Sequence, residues 1–221
     1  MVVNSRINMR NICLYLILYV SLFQTATATT ILQVDTNHLV NNAESVFEGE
    51  VVSARSEINT NGNIYTYVDL LILDVLVGEL DLGSTITLRF TGGTVGELQL
   101  DVGSTIPVTG ERGIYFVEAM GKNLSNPLLG WSQGHFRILT DGKVMAGNNQ
   151  IVVGVEGNSS DNTPVLNSTK LNNSSSISQG VAKGITTELL SDQGNKLVEK
   201  SQAKPILIDE FKASLKALRS K

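Results

Sequence analysis

The run Ile64–Val77 (IYTYVDLLILDVLV) constrains the fold of this chain more than any other stretch. It is rich in β-branched and aromatic residues, the side chains that fit a pleated, half-buried surface. Asn59-Thr60-Asn61-Gly62-Asn63 precedes it, and Asn61-Gly62 suits the positive φ of a hairpin turn. Gly78 ends it. Asp69 and Asp74, five apart, break strict alternation, so a strand of this length is expected to bend and to bring the two aspartates to solvent at different points.

Other segments carry the same period. In Ser45–Ser53 (SVFEGEVVS), Phe47, Gly49 and Val51 share one face while Glu48 and Glu50 share the other. A glycine inside a strand marks a bulge or sharp bend. Ser84–Phe90 sets Ile86, Leu88 and Phe90 against Thr85, Thr87 and Arg89. Gly92-Gly93 reads as a loop, Val95–Leu100 as a weaker strand, and Gly113–Ala119 as a buried one. Gln133–Thr140, the Asp141-Gly142 turn and Lys143–Ala146 form a second hairpin. A short helix, Asp35–Ala43, comes before all of these, with Asp35 as its cap and Leu39, Val40 and Ala43 on one face. Turn-punctuated strands after a brief leading helix predict an antiparallel barrel or sandwich.

The first 28 residues read as a secretory signal peptide. Arg6 and Arg10 lead, the apolar run Ile12–Phe23 follows, and Gln24-Thr25-Ala26-Thr27-Ala28 supplies an A-x-A cleavage site. At twelve residues the apolar run is short for a membrane span, so no stable membrane insertion is expected after cleavage. Removing 28 of the 221 residues leaves 193, enough for one sizeable domain with tails. The single cysteine, Cys13, falls inside the signal, so the mature chain has no disulfide, thiolate nucleophile or cysteine metal ligand. The signal takes two of the 17 basic residues and none of the 21 acidic ones, so the mature net charge is −6. That balance disfavours nucleic acid and anionic lipid as partners.

Beyond a barrel domain over residues 29–155, composition changes. Gly157–Ser176 holds eight serines and threonines and five asparagines, too polar to offset its ordering entropy. Residues 156–204 are therefore expected to form a low-complexity linker. Its Asn-x-Ser/Thr triplets at Asn158, Asn167, Asn172 and Asn173, with another at Asn123, follow from composition. Within it, Ile177, Val181, Ile185 and Leu189 recur at helical steps, but Gly180 and Gly184 each cost about 1 kcal/mol relative to alanine, leaving a marginal helix. Residues 205–221 give a clearer one. Pro205 precedes it, Asp209 and Glu210 begin it, and Lys216, Arg219 and Lys221 end it, as the helix dipole favours. Ile208, Phe211, Leu215 and Leu218 form an apolar stripe that must dock on the domain or on a partner.

Candidate sites are sparse. His38 and His135 are the only histidines. Metal binding has neither an H-x-x-x-H pair nor a mature cysteine, and no cofactor motif occurs. Asp69 and Asp74 point to opposite strand faces, which argues against an acid–base pair. Gly92-Gly93-Thr94-Val95-Gly96 resembles a phosphate cradle only in composition. Tyr65, Tyr67, Tyr115 and Trp131 offer a stacking platform, with Tyr65 and Tyr67 on one face; cross-strand packing explains them equally well.

Residues 39–138 resemble a divergent netrin module, the OB-fold group that includes the tissue inhibitors of metalloproteinases. The order is Ala43–Val51, a turn, the Tyr67–Val77 strand closing on Gly78, Ser84–Phe90, GERGIYFV at Gly110–Val117, and Gly134-His135-Phe136. It is closest to cysteine-free exported bacterial proteins of unassigned function. The resemblance implies a small antiparallel OB-like barrel. In the animal inhibitors a disulfide-pinned N-terminal cysteine meets the protease zinc. Here Thr29 would be the first residue, without a cysteine to preorganise it. The reading is of an exported, non-catalytic binding module for a protein or glycan, in one form a secreted metalloprotease, with Thr29, Tyr65, Tyr67, Trp131 and Phe211 as contact candidates. The alternatives are a secreted or envelope hydrolase and a structural envelope protein.

Overall fold

In a computed structural model the described residues are 32–103, 105–155, 181–188 and 204–219. The expected signal peptide, Thr29 and the polar core of the linker lie outside them. The elements below all belong to the unit Gln33–Lys221. In chain order they are α1 (Thr36–Asn42), β1 (Ser45–Ile58), β2 (Ile64–Val77), β3 (Thr85–Thr91), β4 (Gly93–Val95), β5 (Leu98–Leu100) and β6 (Arg112–Val117). After a 3-10 turn at Trp131–Gly134 come β7 (His135–Ile138), β8 (Val144–Met145), β9 (Ile151–Val155), β10 (Ile185–Glu188) and α2 (Ile208–Arg219).

The Asn-Gly turn sets the first hairpin. Ile58 pairs with Ile64, and the register continues through Arg55–Tyr67 to Ser53–Asp69. Asn59 fixes the turn through its side-chain carbonyl, which accepts the backbone N–H groups of Asn61 and Asn63 at 3.0 and 2.9 Å. Further along, β1 slips against β2 at three points, including Glu48/Gly49. Gly49 is needed there for close approach: a Cβ would lie 2.9 Å from the Phe47 ring and 3.3 Å from the Leu71 carbonyl oxygen. Gly78 ends β2 at φ 91°, where a side chain would also strike Ser45 Oγ at 2.7 Å.

Among the described residues ten strands form an eight-stranded sheet in the order β10-β9-β8-β7-β6-β1-β2-β3 and a separate β4-β5 hairpin. All the strand pairings are antiparallel. The expected barrel is therefore corrected to an open sheet: β3 and β10 are its two edges and do not pair with each other among the described residues.

Three further expectations change. The marginal helix at Ile177–Leu190 is replaced, where described, by β10, which pairs Ile185–Glu188 with Val155–Ile151. Gly184 at φ 92° interrupts any helix there, and Ile185-Thr186-Thr187 favours extended backbone. The segment expected to be linker thus contains a sheet strand. The single strand Val95–Leu100 is a tight hairpin, β4-β5, turning at Gly96 (φ 60°).

The sheet carries a core on each face. On one, Phe47, Val51, Val68, Leu70, Leu88, Phe90, Tyr115 and Leu128 pack together. On the other, α1 (Leu39, Val40) and α2 (Phe211, Leu215, Leu218) cover Val46, Val77, Ile114, Phe116, Phe136 and Val152. Asp35 caps α1 by accepting the Asn37 N–H at 2.8 Å, and Thr36 N–H and Oγ1 tie its start to the Lys183 carbonyl at 2.8 and 2.6 Å. A buried charge holds α2. The Glu48 side chain, 2% exposed, accepts Lys212 Nζ at 2.8 Å and pairs with Arg112. Lys212 also reaches Asp74 at 2.9 Å. Among the described residues no helix is long and apolar enough to cross a membrane.

Candidate functional site

The outer face of β1-β2-β3 brings two tyrosines and two arginines together. Because residues directly opposite in an antiparallel sheet share a face, the register builds three rungs: Ser53–Asp69–Thr87, Arg55–Tyr67–Arg89 and Glu57–Tyr65–Thr91. Val68, Leu70, Leu88 and Phe90, the residues between, turn inward to the core. Alternation alone therefore places the tyrosines on the outer face.

Each tyrosine carries an arginine. Arg55 Cζ lies 5.4 Å from the Tyr67 ring centroid, and Arg89 Cζ lies 4.4 Å from that of Tyr65. Asp69 anchors the first rung by accepting Ser53 Oγ at 2.5 Å, Thr87 Oγ1 at 2.6 Å and Arg55 Nη1 at 2.8 Å. The bonds from Ser53 and Thr87 hold the Asp69 carboxyl below the usual aspartate range, outweighing desolvation, with Arg55 assisting. Arg55 also meets Glu57 at 3.5 Å, so its charge is matched. Arg89 is not matched: its Nη2 donates to the Leu124 carbonyl at 3.3 Å, and its Nε is buried with no hydrogen-bond partner among the described residues.

A cleft of about 250 Å³ opens beside this guanidinium, walled by Tyr67, Thr87, Arg89, Lys122, Asn123 and Pro127. Lys122 is exposed and makes no ion pair within 4 Å among the described residues. The chemistry on offer is an aromatic wall flanked by two uncompensated cations and hydroxyl donors. It suits a ligand that presents both a flat apolar face and an anion.

The other expected contacts lie elsewhere. Trp131, at φ 60° in the turn before β7, is separated from β2 by β6 and β1 in the sheet order. Tyr115 is fully buried in the inner core, stacked on Phe47 (5.6 Å) and His135 (4.7 Å). Phe211 is fully buried against Phe136 at 4.9 Å, so it has no surface to offer a partner in this arrangement.

The two aspartates are not brought together. Asp69 belongs to the rung and Asp74 to the Lys212 clasp, so both are partnered instead of merely solvated. His38 is exposed on α1, near Asn42 at 3.2 Å. His135 is 3% exposed, with Nε2 3.0 Å from Glu111 Oε1. That contact has ion-pair distance without hydrogen-bond alignment, since both atoms lack an aligned partner. A Cβ at Gly113 would sit 3.0 Å from the same Nε2, so the glycine makes room for the ring. No hydroxyl is bonded to His135 among the described residues, which leaves no assembled nucleophile–base pair. Nor do three or more His, Cys, Asp or Glu side chains gather into a metal-holding group there.

No protein-family model, curated protein or solved structure matches this chain. The likeness to the netrin-module group therefore stands on residue order alone. Arg55, Arg89 and Lys122 are the site residues that sequence reasoning passed over. The signal for Arg55 was present in the Asn-Gly turn, which fixes it opposite Tyr67; Arg89 appeared only as one polar position of an alternating strand.

Proposed function

We propose that the mature chain is an exported, non-catalytic binding module that takes an acidic glycan on the outer face of β1-β2-β3. The observation that carries this reading is the cleft beside Tyr67, into whose wall the buried, unpartnered Nε of Arg89 is built. A pyranose ring stacks on an aromatic face, and a uronate carboxylate takes charge-assisted bonds from a guanidinium and an ammonium. Arg89 and Lys122 are free for that role because Asp69 and Glu57 engage Arg55 instead. An OB-like curl of the first strands accords with the reading: the slips in β1 bend it around the inner core and leave the tyrosine face outward.

Calorimetric titration of residues 29–221 with oligogalacturonate and with a neutral oligosaccharide of equal length tests it. The acidic ligand is expected to bind more tightly, with affinity falling as salt rises. Arg89→Ala is expected to remove that preference and Tyr67→Ala to weaken both ligands several-fold, given about 0.5–1.5 kcal/mol for an aromatic contact. Indifference to both substitutions, or equal binding of charged and neutral sugars, would overturn the assignment.

A further inference from the structure

A second cavity, between the sheet and the helices α1 and α2, has a different character. It measures about 240 Å³ and is lined by Val40 of α1, Val46 of β1, Leu76 and Val77 of β2 and Leu215 of α2. Its lining side chains are all aliphatic except for Lys216 and Arg219, from the last two turns of α2. Both cations are exposed, and neither makes an ion pair within 4 Å among the described residues. Lys216 acts on the Asp74 carboxyl, but Lys212 already holds that carboxylate at 2.9 Å.

The helix dipole accounts for cations at the end of α2. It does not account for their place in the lining of an otherwise apolar pocket, where an open hydrocarbon surface costs free energy unless something covers it. We infer that this pocket binds a single-chain alkyl carboxylate of short to medium length, its chain against Val46, Leu76 and Leu215 and its carboxylate at Lys216 and Arg219. Size limits the ligand: the space is below the about 300–1,000 Å³ of sites that enclose larger molecules, so a two-chain lipid or a fused ring system does not fit. Charge selects the head group: a neutral alcohol of the same length would lose both cation contacts.

The binding energy is then mostly hydrophobic, and each buried methylene should raise affinity about four-fold. Titration of the full mature chain with hexanoate, octanoate and octanol reads all of this. The expected result is octanoate tighter than hexanoate by about fifteen-fold across its two added methylenes, and tighter than octanol. Lys216→Glu with Arg219→Glu should abolish the preference for octanoate over octanol. Leu76→Trp, which fills a half-buried position of the pocket, should abolish binding while leaving the unfolding transition cooperative. Equal affinity for octanoate and octanol, no dependence on chain length, or binding undiminished by Leu76→Trp would each overturn the inference. So would the absence of octanoate binding, including the case in which a peptide with an apolar C-terminal residue binds in its place.

Discussion

Replacing Phe211 by alanine tests whether α2 is part of the fold. The Phe211 ring is fully buried and meets Phe136 at 4.9 Å with planes 49° apart, while Leu215 and Leu218 continue the same stripe into the core. Truncating a buried phenylalanine costs about 3–5 kcal/mol, from lost transfer energy and from the cavity left behind. For a chain of this size each kcal/mol moves the midpoint about 2–4 °C, so Tm should fall by roughly 6–20 °C. Ala213→Ser, at an exposed position of the same helix, serves as control and should stay within about 0.5 kcal/mol of the parent. Thermal and urea unfolding followed by circular dichroism measure both. If Phe211→Ala unfolds at the temperature of Ala213→Ser, α2 is not docked in solution and the reasoning fails.

Four further substitutions probe charged and polar side chains. Lys212→Met removes one of two cations from the buried Glu48 and should cost about 1.5–3 kcal/mol; combined with Glu48→Gln, the loss in urea unfolding should be less than the sum of the two. Asp69 has a depressed folded pKa, so its contribution is full above the unfolded value of about 3.9 and is lost as pH falls through the folded value. Asp69→Asn should therefore be less stable than the parent at pH 7 but show a flatter acid limb in urea titrations. Burial, then the charge of Glu111, raises the Tyr115 pKa far above normal, and its hydroxyl meets no partner among the described residues. Its contribution is full below the unfolded value of about 10 and declines as pH rises beyond it. Tyr115→Phe should match or exceed the parent at pH 7 and lose less stability in alkali; a deficit above about 1 kcal/mol at pH 7 would mean that the hydroxyl is bonded.

The strands that the sequence reveals are those with strong local signals. Asn61-Gly62 fixed both the hairpin and, by counting back from Ile58–Ile64, the pairing of Tyr67 with Arg55. Gly49 marked a true irregularity in β1, and the apolar stripe of α2 named the side chains that are buried. What local pattern does not carry is long-range pairing. Ile185–Glu188 shows helical spacing yet joins β9 as a strand, because tertiary pairing overrides a weak helix broken by Gly184. Glu48 reads as a polar outer residue, and only the arrival of Arg112 and Lys212 from distant segments makes its burial tolerable. The same limit hid Arg89, whose role depends on a cleft formed by the Ala119–Pro127 loop.

The central claim concerns which part of the sheet meets the ligand, and a backbone amide NMR titration of residues 29–221 with oligogalacturonate measures that directly. The account predicts saturable shifts at Arg55, Tyr65, Tyr67, Thr87, Arg89 and Lys122, with the amides of α1 and α2 unmoved. Shifts confined to α1, α2 and the strands they cover, or none at millimolar ligand, would contradict it.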